Sequence, residues 1–189
     1  GLTGKVKIVI HGVPGGDLGM FMKGPTIEVL GNADHAPGNT MDEGTIIIHG
    51  ASGDATGHSM RGGKIFVRDD IGYRGGIHMK QFQGKRPVLV IGGTAKAFLG
   101  EYMAGGLVIM FRMQDESPYA EMGLASGIHG GEIFIRGTVE DWTLGIGSNA
   151  TIATKDEIDR IQPFINEFSE YYGIESQKLL NSSYTRIAP

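Results

Sequence analysis

Short runs of alternating apolar residues, each introduced by one or two glycines and in most copies by a methionine, recur along most of the chain. The clearest copy is Met60-Arg61-Gly62-Gly63-Lys64-Ile65-Phe66-Val67, in which Ile65 and Val67 share one face of a short strand. Copies with substitutions start at Met22, Met41, Gln83, Met103 and Ile128, separated by 19, 19, 23, 20 and 25 residues from Met22 onward, so the basic period is about 19. Alternation predicts the inward-facing pairs Ile8/Ile10, Ile27/Val29, Ile46/Ile48, Ile65/Val67, Val88/Val90, Val108/Met110 and Ile133/Ile135. The residues between them, including Ile47, Phe66, Leu89, Ile109 and Phe134, then point to the opposite face. A unit of this size is too short for a βαβ crossover, which takes about 30 residues. One turn of a parallel β-helix fits it, and the sequence predicts an all-β, single-stranded solenoid of about seven coils.

The segments after the strands carry glycines in the pattern Gly12/Gly15/Gly19 and Gly50/Gly53/Gly57, with weaker versions at Gly31/Asp34/Gly38, Asp69/Gly72/Gly76 and Gly92/Ala95/Gly100. Glycine reaches positive φ at little steric cost, so all three positions are expected at tight corners, where the missing Cβ also lets neighbouring coils approach closely. Extra residues fall at about 73–86 and 114–127, and inserted loops are expected to be the contact features. From Thr154 glycine nearly stops. Thr154-Lys155-Asp156-Glu157 is a capping box ahead of Ile158, Ile161, Ile165 and Phe168 at helical spacing, and Gly173 is a natural terminator. Pro163 is expected to kink or divide this helix. The sequence thus divides into a solenoid over 1–153 and a C-terminal helix and tail over 154–189, the helix capping one end of the coils and Ile174–Pro189 forming an extended tail with a short helical turn.

Composition narrows the chemistry. Glycine accounts for 32 of 189 residues without a collagen period, and the net charge of −4 leaves no basic footprint for nucleic acid. The chain has no cysteine, which excludes disulfides, thiolate nucleophiles and Cys-bound zinc or iron–sulfur clusters within it. No apolar run is long enough to cross a membrane and no signal-peptide pattern is present, so a cytoplasmic protein with no membrane partner is expected. The glycine-rich Gly12–Gly16 stretch opens no helix and lacks the lysine of a phosphate loop. Of the six histidines, His11 and His49 hold equivalent strand-end positions, and they read as corner residues like His35, His58, His78 and His129. Asp69/Asp70, Asp115/Glu116 and Glu140/Asp141 read as solvated loop charges, and Met22, Met41, Met60 and Met103 as core filler. No residue is assigned a catalytic, cofactor-binding or metal-ligating role.

The Met-x-Gly-Gly-x-Ile-x-Val unit followed by spaced corner glycines resembles the GXGXG domain at the C-terminus of the glutamate synthase large (alpha) subunit. The likeness covers about residues 2–153, and the ending Ser183-Tyr184-Thr185-Arg186-Ile187-Ala188-Pro189 is similar as well. The resemblance implies a right-handed helix of coils with a noncatalytic scaffold role, between a glutamine amidotransferase subunit and an FMN-binding synthase subunit. FMN and iron–sulfur clusters are then expected only in those partners, with no cofactor in this chain. The alternatives are a component of a formylmethanofuran dehydrogenase, in which the same domain type occurs, a β-helix enzyme acting on carbohydrate, and a homo-oligomeric structural protein.

Overall fold

The computed structural model describes residues 1–189. Nine strands form one sheet: β1 (Lys7–Ile10), β2 (Lys23–Val29), β3 (Glu43–Ile48), β4 (Lys64–Val67), β5 (Val88–Ile91), β6 (Ala104–Met110), β7 (Gly130–Arg136), β8 (Asn149–Ile152) and β9 (Tyr184–Ala188). The order is β1-β2-β3-β4-β5-β6-β7-β9-β8, parallel from β1 through β7 and antiparallel at the last two junctions. Two helices accompany it, α1 (Lys155–Tyr172) and α2 (Ser176–Leu180).

The expected all-β, right-handed parallel β-helix is therefore corrected to a single open sheet, mostly parallel, with two helices. The residues connecting the strands do not build further sheets. They touch as isolated bridges, Ser52 with Ile71, Ile71 with Ala95, Tyr119 with Val139 and Leu124 with Leu144. The reason lies in the corner backbone. Left-handed φ recurs at alternate residues, for example at Ala55, Gly57 and Ser59 (φ 55°, 74° and 54°) and again at Arg74, Gly76 and His78. A strand cannot continue through such alternation, because extended geometry needs negative φ at each residue.

These corners are nevertheless tied to one another. Ala55 N–H donates to the Tyr73 carbonyl and Ser59 N–H to Ile77, while Gly57 N–H donates back to Pro37 (2.7, 2.8 and 2.9 Å). Of 119 backbone hydrogen bonds, 73 are not internal to the strands and helices, many of them between successive corners, so the connecting segments contribute much of the backbone cohesion. Only the third glycine of each expected corner triplet, such as Gly57, consistently has positive φ. Gly50 serves the expected close approach of neighbouring units: a Cβ there would lie 2.9 Å from the backbone of Gly31 and 2.2 Å from Asn32 Oδ1.

Strand register explains the 19-residue period, since Ile8 pairs with Ile27, Ile27 with Ile46 and Ile46 with Ile65. Five of the remaining expected pairs face the larger apolar cluster together with Met22, Met41, Met60 and Met103, and Ile8 and Ile10 pack against it partly buried. The Val88/Val90 pair does not. Ile65 pairs with Leu89 and Val67 with Ile91, so Leu89 and Ile91 face inward and Val88 and Val90 outward. Every residue from Val88 to Ile91 is apolar and buried, and alternation alone cannot fix the register of such a run. The same slip hid Met79, which is fully buried beside the other core methionines. With Met79 in place, Arg74, Gly76 and His78 make an ordinary corner, and the first insertion contracts to 80–87. Gly123, Ala125 and Gly127 likewise make a corner, and the second contracts to about 112–118.

The expected helical cap is also corrected. Helix α1 does not close an end of the sheet; it lies on the outer face. Ile161, Ile165 and Phe168 pack there with Phe66, Val90, Ile109, Phe111 and Phe134. The capping box is present, with Thr154 N–H donating to Glu157 Oε2 at 2.8 Å and Glu157 N–H donating to Thr154 Oγ1 at 3.3 Å. Helix α1 runs undivided through Pro163 and stops at Gly173 (φ 64°). Tyr172 anchors it by donating to the Ile48 carbonyl at 3.0 Å. The segment expected as an extended tail with a short helical turn contains that turn as α2, and its extended part is the strand β9, which covers the edge of β7. An uncovered edge would have left the N–H and C=O groups of β7 open to foreign strands.

Candidate functional site

A concave feature lined by charged side chains lies where β6 and β7 end. Phe111 is buried at the close of β6, and the chain then turns sharply at Arg112, which has φ 47° and is 2% exposed. A turn follows in which Asp115 N–H donates to the Arg112 carbonyl at 3.1 Å. Asp115 organises this loop. Its Oδ1 accepts from Ser117 N–H at 2.9 Å and from Ser117 Oγ at 2.7 Å, while Oδ2 accepts from Arg112 Nη2 at 2.7 Å. Those bonds, with the Ser117 hydroxyl first, hold the Asp115 carboxyl well below the usual range, at about 2. It is ionised at neutral pH and has no proton to donate.

Arg136, the last residue of β7, forms the opposite wall. Its Nε donates to Ser182 Oγ at 3.0 Å and its Nη1 to the carbonyls of Phe111 and Arg112 at 3.2 and 3.4 Å. The third nitrogen, Nη2, has only Glu116 Oε1 at 3.9 Å, on a side chain that is 88% exposed. Gly137 N–H donates to the Ser183 carbonyl at 2.9 Å, which fixes the C-terminal segment against the strand end. Together with Asp115 and Ser183, the two arginines enclose a cavity of about 240 Å³. Two smaller hollows adjoin it, one sharing Arg112 and Asp115 and lined also by Asp70, the other sharing Arg136.

A second charged cluster sits on the outer face. Glu132 accepts from Arg186 Nε and Arg160 Nη2 on one oxygen and from Arg86 Nη2 and Arg160 Nη1 on the other, at 2.7 to 3.1 Å. Burial raises its pKa, but the three guanidiniums outweigh that and hold it down at about 2. This cluster joins the first inserted loop, α1 and β9 to β7. Lys85 of the same loop pairs with Glu43. The 80–87 loop is thus bound down on the sheet by its own charges.

The other singled-out residues are dispersed. His49 Nε2 lies 2.9 Å from Glu28 Oε1 and its ring meets Tyr172 edge-on, so it shares nothing with His11. His58 and His78 lie 6.0 Å apart in a column continued by Tyr102, and burial lowers the His58 pKa. No three His, Asp or Glu side chains converge as a metal site would need. Asp69 pairs with Arg68, Asp70 accepts from Thr94 N–H at 2.7 Å, and Glu140 and Asp141 are exposed at a short 3-10 turn. After Gly12–Gly16 the chain enters the first corner at Asp17, with no helix. Of the carboxylate pairs, Asp115/Glu116 lines the cavity with both members, Asp70 borders an adjoining hollow, and Glu140/Asp141 lines none of these. Arg112 and Arg136 escaped sequence reasoning; their signal was position, each at a strand end where the spacing departs from 19.

An uncharacterized protein of Methanocaldococcus jannaschii is 53% identical over 193 residues, an alignment covering 97% of this chain and 73% of the relative. The GXGXG motif family matches residues 1–189. That match supports a glutamate synthase-like domain, of a type associated with glutamate synthase-type oxidoreductases. The chain belongs to the GXGXG motif family.

Proposed function

We propose that this chain is a noncatalytic structural component of a glutamate synthase-type complex, working in the cytoplasm. Its body is residues 1–153, with 154–189 packed upon it. In this reading it holds a glutamine amidotransferase part and an FMN-binding synthase part in register, and the FMN and iron–sulfur clusters belong to those partners. The family match over the full chain is the observation that carries the reading. The composition supports it: with no cysteine, the chain supplies neither a thiolate for glutamine hydrolysis nor thiolate ligands for a cluster. The closely bonded corners and the second apolar layer under α1 support it too, since a part that positions others must not deform.

The test is reconstitution. The purified chain is expected to show no glutaminase or glutamate-forming activity and no flavin absorbance. Mixed with separately produced amidotransferase and synthase subunits from the same source, it should co-elute with them and raise glutamine-dependent glutamate formation from 2-oxoglutarate. Flavin or turnover in the isolated chain, or undiminished synthesis when it is left out, would refute the proposal.

A further inference from the structure

We propose that the cavity between Arg112, Arg136 and Ser183 binds the carboxylate group of a small molecule. The inference rests on the geometry of this chain and is independent of any complex it joins.

The walls are built for an oxyanion and incompletely satisfied by the protein. Arg112 is 2% exposed, and its Nε has no hydrogen-bond partner. Asp115 occupies only Nη2 of that guanidinium, so the two-pronged edge that suits a carboxylate is half used. Arg136 keeps a 14% exposed side chain in place through Ser182 and two backbone carbonyls, and that leaves Nη2 facing a loose partner 3.9 Å away. The exposed Ser183 hydroxyl bonds to no protein group, and Lys178, in the neighbouring hollow, makes no ion pair. Over the cavity and its two adjoining hollows, Arg112, Arg136 and Lys178 face Asp70, Asp115 and Glu116, so the charges balance and an incoming anion must take the place of a resident carboxylate.

The chain's own side chains show which ligand fits. Both guanidiniums already have carboxylates beside them, one tightly held and one not. Asp115 is fixed by three bonds and stays. Glu116, almost wholly exposed and beyond hydrogen-bond distance, is the group an incoming carboxylate replaces. The ligand would then accept from Arg136 Nη2 and the Ser183 hydroxyl, with Arg112 completing the positive wall.

Succinate is the probe, titrated into the full chain at constant ionic strength and followed by amide NMR. Saturable shifts are expected at residues 112–117, 136–137 and 182–183. Glu116→Gln removes the resident competitor from an exposed position and should tighten binding about threefold. Ser183→Ala should weaken it about threefold, and Arg136→Gln about tenfold or more. Because Arg136 also ties down two carbonyls, the exposed Glu116 and Ser183 variants decide the matter if Arg136→Gln fails to fold. Absence of saturable shifts, affinity unmoved by both exposed variants, or inorganic phosphate binding there more tightly than succinate would overturn the proposal.

Discussion

Replacing Glu132 by Gln tests whether the charge cluster on the outer face fastens the C-terminal third of the chain to the sheet. One carboxylate, 13% exposed, receives Arg86 from the inserted loop, Arg160 from α1 and Arg186 from β9. Its pKa falls from 4.5 to about 2 despite burial that pushes the other way. A shift of that size is equivalent to about 3 kcal/mol. Its three partners are 27 to 49% exposed, so solvent screening reduces the expected contribution to about 2 kcal/mol. The sign follows from the depressed folded-state pKa: the contribution is complete above about 4.5 and lost as pH falls through about 2. Urea unfolding of wild type and Glu132→Gln, followed by circular dichroism, should differ by about 2 kcal/mol at pH 7 and converge near pH 2. A difference that is the same at both pH values, or below about 0.5 kcal/mol at pH 7, refutes the argument, because surface pairs alone give that little.

Three further substitutions probe the corners and the helix. Gly50→Ala places a Cβ against the Gly31 backbone and should destabilise by about 2 kcal/mol in the same unfolding assay. Ala55→Gly has the opposite sign: relief of a left-handed alanine of about 1 kcal/mol exceeds the added glycine entropy, so the urea midpoint should rise slightly. Tyr172→Phe removes the bond from α1 to the Ile48 carbonyl and should cost about 1 kcal/mol, with faster amide exchange in residues 165–172 as the local readout.

The inner face of the sheet was legible wherever apolar and polar residues truly alternate. Ile46 and Ile48, or Ile65 and Val67, could be placed from pattern alone because a one-residue slip would bury their polar neighbours Thr45 and Lys64. Val88–Ile91 gives no such signal, since outer-face burial under α1 made both sides of that strand apolar. The helix itself was readable from Thr154, Glu157 and Gly173, which act locally. Its docking place was not, because Phe168 meets Phe111 and Tyr172 meets Ile48 across long stretches of chain. The pocket was hidden for the same reason. Asp115 and Glu116 are adjacent in sequence, but Arg136 and Ser183 reach them only after β9 has returned to β7.

The single open sheet follows from where the backbone hydrogen bonds go. Each corner uses left-handed backbone at three alternate residues, as at Asp17, Gly19 and Phe21 or Phe98, Gly100 and Tyr102, and many of these are not glycine. An L-residue held there loses about 1 kcal/mol. The N–H groups of the outer two, however, donate to the next corner, Asp17 to His35 and Phe21 to Asn39, at 2.9 and 3.0 Å. A net gain of about 1 kcal/mol per bond roughly cancels that strain. The cancellation holds only when the neighbouring corner is present, so no corner is stable by itself. Cohesion therefore runs between successive units rather than within them, and the spacing of 19 is kept where units must meet and relaxed at 80–87, where Arg86 reaches Glu132 of β7, and at 112–118, where the chain forms the arginine pocket.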